Sequence, residues 1–140
     1  MERGSSKYER EKRAEFGERY AIGHRDVLDA IERAVIGADW GANGYTTVRE
    51  ANELAERLRL DASKRLLDVG TGRGWPGLYL AKKTGCEVVL TDLPIEGLRH
   101  GLTRAHQEQV ATLGAVVSSA RWLPFRDRSF DALCHSDVLC

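Results

Sequence analysis

The chain has 140 residues, of which 42% are hydrophobic and 30% are charged, a balance typical of one globular domain. Its 21 basic and 21 acidic side chains give a formal net charge of zero, which argues against nucleic-acid binding through phosphate neutralisation. The charged start of the chain predicts no signal peptide, and no apolar run approaches the roughly 18 residues that a membrane span needs.

Residues 1–62 are predicted to form a helical N-terminal region. Helices are expected over about residues 7–20 and 25–36, and a third begins after Thr47, which forms a capping-box pattern with Glu50. The second helix has one apolar side, and the third has an apolar stripe that is expected to be buried. These apolar positions are Leu28, Ile31 and Val35 on the second helix and Val48, Ala51, Leu54, Ala55 and Leu58 on the third.

Residues 63–140 alternate short β-rich runs with helical patterns. This alternation predicts an α/β fold with a Rossmann-like, mainly parallel sheet and flanking helices. The predicted strands cover residues 65–69, 86–91, 115–118 and 131–135, and the predicted helices cover residues 76–83 and 94–113.

A glycine-rich segment, Leu67–Gly77, joins the first strand to the next helix. Gly70, Gly72 and Gly74 form a G-x-G-x-G pattern, and the last two combine with Gly77 into the G-x-G-x-x-G pattern of dinucleotide sites. Glycines there let a ligand lie on backbone N–H groups at the carboxyl edge of the sheet. The other interpretation is a glycine-rich turn that binds no ligand.

Two acidic residues flank this segment in the predicted fold. Asp92 ends the second strand, where a carboxylate can accept both hydroxyls of a ribose, in NAD as in other nucleosides. Asp68 precedes the first glycine by two residues, and its charge would repel a pyrophosphate and favour an amino group or a sulfonium. Alternatively, Asp68 is a solvated acid that only caps the turn.

Three segments in order between residues 65 and 137 resemble the class I S-adenosylmethionine-dependent methyltransferases. The resemblance is closest to the small-molecule type related to ubiquinone and menaquinone biosynthesis. Leu67–Gly74 is similar to that family's first motif, Thr91–Pro94 to its ribose-binding acid, and Leu123–Ala132 to its L-P-F-x-D-x-S-F-D signature. The resemblance implies a Rossmann-like fold, S-adenosylmethionine as cofactor and transfer of its methyl group to a small-molecule acceptor.

The resemblance also implies which residues hold the cofactor. The glycines would pack against its methionine part, Asp92 would hold the ribose, and Leu93 would cover adenine. The family often has an acid at the position of Ser119 that bonds the adenine amino group, and a hydroxyl is a weaker acceptor. Trp122 either stacks near adenine or belongs to the core. The implied cofactor-binding residues are Asp68, Gly70, Thr71, Gly72, Gly74, Asp92, Leu93, Ser119, Ala120, Arg121 and His135.

The sequence assigns no catalytic residue, and Tyr45 and His135 are the candidates. Tyr45 could close over the methionine end or simply pack at a helix cap, and His135 and Ser136 would face the methionine moiety or the acceptor. His135 has an alternative structural or solvated role, because a general base is needed only if the acceptor must lose a proton. The protein's main tasks in methyl transfer are alignment and exclusion of water.

The chain has three cysteines, which is an odd number, and no two of them form a Cys-x-x-Cys pair. This pattern disfavours a disulfide framework or a metal site. Reduced thiols in the cytoplasm are therefore expected, with no nucleic-acid or membrane partner. The family's fold continues for three more strands, so the chain is expected to be a partial domain that carries the cofactor-binding half. A second copy could complete its open sheet edge. The alternatives are an inactive cofactor-binding or interaction module and an NAD(P)-dependent oxidoreductase.

Overall fold

The computed structural model describes residues 6–22, 26–42 and 44–136. The helices are α1 (Lys7–Ala21), α2 (Asp26–Val35), α3 (Val48–Arg57), α4 (Gly77–Thr84) and α5 (Ile95–Gln107), and the strands are β1 (Arg65–Val69), β2 (Glu87–Asp92), β3 (Thr112–Val117) and β4 (Ala132–His135). None of the helices in the described ranges has the length and apolar character required to cross a bilayer.

The four strands form one parallel sheet in the order β3-β2-β1-β4, which confirms the predicted Rossmann-like fold. Helix α4 connects β1 to β2, and α5 connects β2 to β3, as parallel neighbours require. Because the strands are parallel, their carboxyl ends meet at one edge, and the glycine-rich segment leaves β1 at that edge.

The main hydrophobic core lies between the sheet and α3, α4 and α5. Its largest fully buried side chains include Leu66, Leu78, Leu80, Val88 and Leu90. The opposite face of the sheet has a smaller cluster that contains no helical residue in the described part of the chain. That cluster comprises Leu67, Val69 and Val89, with Val116, Leu123, Phe125 and Phe130 packed against them.

The predicted helix over residues 94–113 is too long. Helix α5 ends at Gln107, and Gln109 takes a left-handed conformation with φ 54° that reverses the chain. Leu113, which fits the helical spacing, lies instead in β3 with 49% of its surface exposed. A single apolar residue at helical spacing does not distinguish a helix end from the start of a strand.

The N-terminal helices match their predicted positions, and α3 has the capping box formed by Thr47 and Glu50. The apolar side of α2 is exposed to solvent. The exposed fractions of Leu28, Ile31 and Val35 are 49%, 54% and 60%. The two α3 alanines, by contrast, are buried in the main core. Helix α1 packs on α5 and α3 packs on α4, so both contact the sheet half of the chain. The predicted division at residue 62 stays a prediction.

Cys86 and Cys134 are free thiols that are buried in the fold, whereas Cys140 lies outside the described residues. Among the residues that the structure describes, no three metal-binding side chains form a group that could hold an ion.

Candidate functional site

The glycine-rich turn is fixed to the end of the neighbouring strand β2. The backbone N–H groups of Gly70 and Thr71 both donate to the carbonyl oxygen of Thr91, at 2.8 and 3.0 Å. Gly70, Gly72 and Gly74 have φ values of 68°, 59° and 99°, a region that residues with a Cβ rarely adopt. The pattern of alternate glycines therefore reflects a backbone conformation that other residues would adopt only under strain.

Asp68 is fully buried and stabilises this turn from inside. Its Oδ2 accepts hydrogen bonds from the Thr71 hydroxyl at 2.6 Å and from the Gly77 N–H at 2.9 Å. The Cys134 thiol lies 3.5 Å from Oδ1. The predicted place of Asp68 beside a ligand's amino group, directly or through water, stays a prediction. Asp68 is not the solvated acid of the alternative interpretation, because it is buried and ties β1 to the start of α4.

Burial raises the pKa of Asp68 from an ordinary 3.8 to about 7, against the opposing effect of its hydrogen bonds from Thr71 and Gly77. Between about pH 3.8 and 7, the folded state therefore keeps a proton on Asp68 that the unfolded state has already released. The stabilisation from this proton is complete below pH 3.8 and is lost as the pH rises through about 7.

We expect Asp68→Asn to remove this pH dependence. The free energy of unfolding of the wild type should fall, relative to that of Asp68→Asn, as the pH rises from 4.5 to 7.5, because only the wild type ionises a buried carboxyl. Urea unfolding of both proteins at pH 4.5, 6.0 and 7.5 measures the difference between their free energies of unfolding. The titration of all groups other than Asp68 cancels in this difference. A difference that stays constant across the three pH values would contradict this assignment.

Asp92, at the end of β2, faces the glycine-rich turn. Its Oδ2 accepts a hydrogen bond from the Gly72 N–H at 2.7 Å, and its Oδ1 accepts one from the Leu93 N–H, also at 2.7 Å. Partial burial raises the pKa of Asp92, and the two N–H donors oppose this rise. Each carboxylate oxygen has two lone pairs, so Asp92 can accept further hydrogen bonds from a ligand.

Tyr20 of α1 lies directly against this turn. A Cβ at Gly72 would be 3.0 Å from the Tyr20 hydroxyl oxygen, and a Cβ at Gly97 would be 2.9 Å from Tyr20 Cδ2 and 2.6 Å from the Gly72 carbonyl oxygen. The Tyr20 ring is therefore wedged between the turn and the first turn of α5, and only 6% of its surface is exposed. Tyr20 was not among the predicted site residues, because nothing in the sequence near Tyr20 signals this contact.

Arg73 connects the same turn to the end of α1. Its Nη2 donates to the carbonyl oxygens of Arg19, Tyr20 and Ile22 at 3.0, 3.2 and 2.7 Å. The guanidinium also lies 5.9 Å from the centre of the Tyr20 ring. A helix end leaves carbonyl groups without partners in the helix, and Arg73 satisfies three carbonyls at this end of α1.

We expect Arg73→Gln to loosen the end of α1, because the glutamine side chain is shorter and carries no charge, so its amide cannot replace the hydrogen bonds that the guanidinium donates to the three carbonyl oxygens. Losing charge-assisted hydrogen bonds of this kind costs about 1–3 kcal/mol of local stability. Hydrogen exchange of the amides in residues 16–21 should become faster, whereas Arg33→Gln, which removes an exposed ion pair with Asp39, should leave these rates unchanged. Equal exchange in both variants would contradict a role for Arg73 in holding α1.

The segment after β3 also contacts α1. The Ser119 hydroxyl donates to Oε1 of Glu9 at 2.7 Å and accepts from the Arg121 N–H at 3.2 Å. Ala120 is exposed, and Trp122 is 65% exposed, so Trp122 is not a core residue. Glu9 was not among the predicted site residues, since it is separated from Ser119 by 110 positions.

The candidate catalytic residues lie at the end of β4 and in the segment before α3. Thr46 and Ser136 are hydrogen-bonded through their hydroxyls, and the Thr46 carbonyl accepts from the Trp75 indole at 3.0 Å, so this segment does reach the end of β4. Tyr45 is 85% exposed and is not packed at the helix cap. His135 is exposed on the sheet face opposite to buried Cys134. Catalytic roles for Tyr45 and His135 stay predictions.

A separate hollow of about 140 Å³ is lined in part by Arg73. His100, Arg104 and Trp40 are among the residues that line it. Asp92 and Gly72 do not line this hollow, so it is distinct from the edge where the turn and the end of β2 meet.

Comparison with known proteins agrees with this arrangement. A family model described as a methyltransferase domain matches residues 66–140. The methyltransferase GfsG of Streptomyces halstedii is 34% identical over 86 residues, which are 61% of this chain and 31% of that protein. The sterol 24-C-methyltransferase of Candida albicans is 32% identical over 90 residues, which are 62% of this chain and 23% of that protein. The chain thus spans about a quarter to a third of these relatives.

Among solved structures, a SAM-dependent methyltransferase from Thiobacillus denitrificans in complex with S-adenosyl-L-homocysteine is similar in fold. The two superpose with a TM-score of 0.58 at 20% sequence identity, over 81% of this chain and 44% of that one. At this level of identity the likeness concerns the fold alone, which includes part of the N-terminal helical region because the match extends beyond the sheet half.

Proposed function

Since the chain belongs to the methyltransferase domain family, we propose that it binds S-adenosylmethionine where the glycine-rich turn meets the end of β2. We further propose that it supplies the cofactor-binding half of an enzyme that methylates a small molecule. The observation that carries this proposal is the hydrogen bond between Asp92 and the N–H of Gly72. It holds the ribose-binding candidate and the glycine-rich turn at one point of the sheet edge.

The residue that fits a nucleoside cofactor is Asp92 at the end of β2. Asp92 is an acceptor with free lone pairs, which suits two neighbouring hydroxyls of a ribose. Gly97 packs α5 directly against the turn, because a Cβ on Gly97 would be 2.6 Å from the Gly72 carbonyl oxygen. Tyr20 covers Gly72, so the cofactor would either lie beside the Tyr20 side chain on the turn or displace it.

The cofactor and the protein residues have different roles in the proposed methyl transfer. When bound, the cofactor supplies a methyl group on a sulfonium, whose departure leaves a neutral thioether. The Gly70–Gly74 turn and Asp92 orient that nucleoside, and α1 lies beside the turn, which it contacts through Tyr20. Asp68 acts indirectly by holding the turn from beneath.

A small-molecule acceptor is the proposed substrate class. The Candida albicans relative is named for methylation of a sterol, which supports a small molecule over a macromolecule. The formal net charge of zero likewise gives no electrostatic reason for a nucleic-acid acceptor. A second copy of the chain that completes the sheet edge also stays a prediction.

Titration calorimetry with S-adenosylmethionine, S-adenosylhomocysteine and NAD⁺ tests the proposal. We expect the two sulfur-containing nucleosides to bind and NAD⁺ to bind at least tenfold more weakly, because the chain belongs to the methyltransferase domain family. A folded sample that binds neither of the first two would contradict the proposal. Preferential binding of NAD⁺ would instead support the oxidoreductase alternative.

A second candidate function is a cofactor-binding module without methyl transfer of its own. The chain spans 31% and 23% of the length of the two curated relatives, so methyl transfer by these 140 residues is tested separately from cofactor binding. Transfer of a radiolabelled methyl group to a panel of sterol and other small-molecule acceptors distinguishes the two. Labelled product supports the enzyme, and cofactor binding without any product supports the module.

A further inference from the structure

The carboxylate of Glu9 is held in place at both of its oxygens. The Ser6 N–H donates to Oε2 at 2.8 Å, as part of the capping box that begins α1. The Ser119 hydroxyl donates to Oε1 at 2.7 Å from the segment that follows β3. The hydrogen bond from Ser119 is the largest cause that lowers the pKa of Glu9, and the hydrogen bond from Ser6 and the positive charge of Arg121 lower this pKa further. Glu9 is therefore ionised at neutral pH.

The Glu9–Ser119 pair can only accept further hydrogen bonds. The Ser119 proton is used in the bond to Glu9, and the Ser119 oxygen already accepts from the Arg121 N–H. An ionised carboxylate has no proton to donate and keeps an unused lone pair on each oxygen. The pair therefore favours a ligand edge that carries a donor and disfavours one that carries only an acceptor at the same position.

The pair also lies where the base of a nucleoside would reach. Asp92 and Val117 are register partners in adjacent strands, and the Ser118 N–H donates to the Asp92 carbonyl at 3.0 Å. Ser119 is the next residue, so the segment that holds Glu9 begins beside the proposed ribose acceptor. A nucleoside with its ribose on Asp92 can therefore direct its base along the end of β3.

We propose that Glu9, positioned by Ser119, accepts a hydrogen bond from the exocyclic amino group of the cofactor's adenine. The acidic group that Ser119 itself lacks is then supplied by α1, from the N-terminal region of the chain. This inference rests on the proposed function, because it concerns the base of the same nucleoside. Adenine has an amino donor at this position, and hypoxanthine has an oxo acceptor, which an ionised Glu9 would repel.

The test compares the affinities of S-adenosylhomocysteine and S-inosylhomocysteine, which differ in this amino or oxo group and in the proton that the neighbouring ring nitrogen N1 carries in hypoxanthine. The wild type should prefer the adenine compound by roughly 10–100-fold, the range expected when a hydrogen bond to a charged group is lost. Glu9→Ala should bring this ratio close to one. Placing the acid on the loop instead, with Ser119→Asp in the Glu9→Ala background, should restore the preference.

Two matched variants separate recognition from helix stability. Ser6→Ala weakens the cap of α1 but keeps the Glu9 carboxylate, and Glu11→Ala removes another α1 acid whose ion pair with Lys7 is exposed. Both should keep the wild-type ratio. If Glu9→Ala does not fold, Ser119→Ala, which frees Glu9, should lower the ratio in a folded protein.

An unchanged ratio in Glu9→Ala, or in Ser119→Ala if that variant has to be used, would overturn this inference and leave the proposed function intact. Absence of binding of either compound to the folded wild type would overturn the proposed function, and the inference with it.

Discussion

Replacing Asp92 with alanine should weaken the binding of S-adenosylhomocysteine by roughly 10–100-fold. The variant loses the charged acceptor that is proposed to hold both ribose hydroxyls, and hydrogen bonds to a charged group contribute about 1.5–3 kcal/mol. It also releases the Gly72 N–H, so the turn loses one of its attachments to β2. Titration calorimetry on the folded variant measures the change.

The control for this experiment is Asp127→Ala, which removes an exposed acid that lies on the segment between β3 and β4. Its affinity should equal that of the wild type. If Asp92→Ala has a native circular dichroism spectrum and binds within about threefold of the wild type, Asp92 does not hold the nucleoside.

Replacing Gly97 with alanine should destabilise the fold by about 2–3 kcal/mol and lower Tm by roughly 5–10 °C, within the range known for overpacked interiors. The new Cβ would be 2.6 Å from the carbonyl oxygen of Gly72, a backbone atom that cannot move without shifting the whole turn. The same shift should weaken nucleoside binding. Differential scanning calorimetry gives Tm, and titration gives the affinity.

Gly17→Ala is the matched control, because Gly17 is also a buried glycine within a helix. A Cβ there meets only the flexible end of Glu96, with Oε2 at 3.1 Å. Alanine is favoured over glycine in a helix by about 1 kcal/mol, so Tm should stay the same or rise. A Gly97→Ala protein as stable as Gly17→Ala would show that the turn and α5 are not in close contact.

The parts of the fold that depend on local signals were predictable from the sequence. The strand at residues 65–69 was predicted with the bounds that the structure gives, because β-branched and aliphatic residues are followed at once by glycines. The end of α4 at Gly85 was also predictable, because the left-handed conformation with φ 79° that ends this helix favours glycine. The end of α5 was not, since Gln109 adopts a left-handed conformation that its residue type does not signal.

The contact between the glycine-rich turn and Asp92 was predictable from the sequence, whereas the contacts that α1 makes with the site were not. The glycine-rich turn and Asp92 are brought together as the sequence suggested, since the ends of adjacent parallel strands must meet. The burial of Asp68 was missed, because the sequence does not show that Thr71 and Gly77 turn their donors toward it. The contacts of Glu9 and Tyr20 depend on how α1 docks, and nothing in the local sequence specifies docking over such a distance.

Amide chemical shifts of the 140-residue chain, recorded by NMR as S-adenosylhomocysteine is added, locate the nucleoside directly. We expect the largest changes at Gly70, Gly72 and Leu93 and in residues 119–121. Changes confined to the amides around His100 and Arg104, or no change at concentrations that saturate binding, would contradict a nucleoside site at the turn and Asp92.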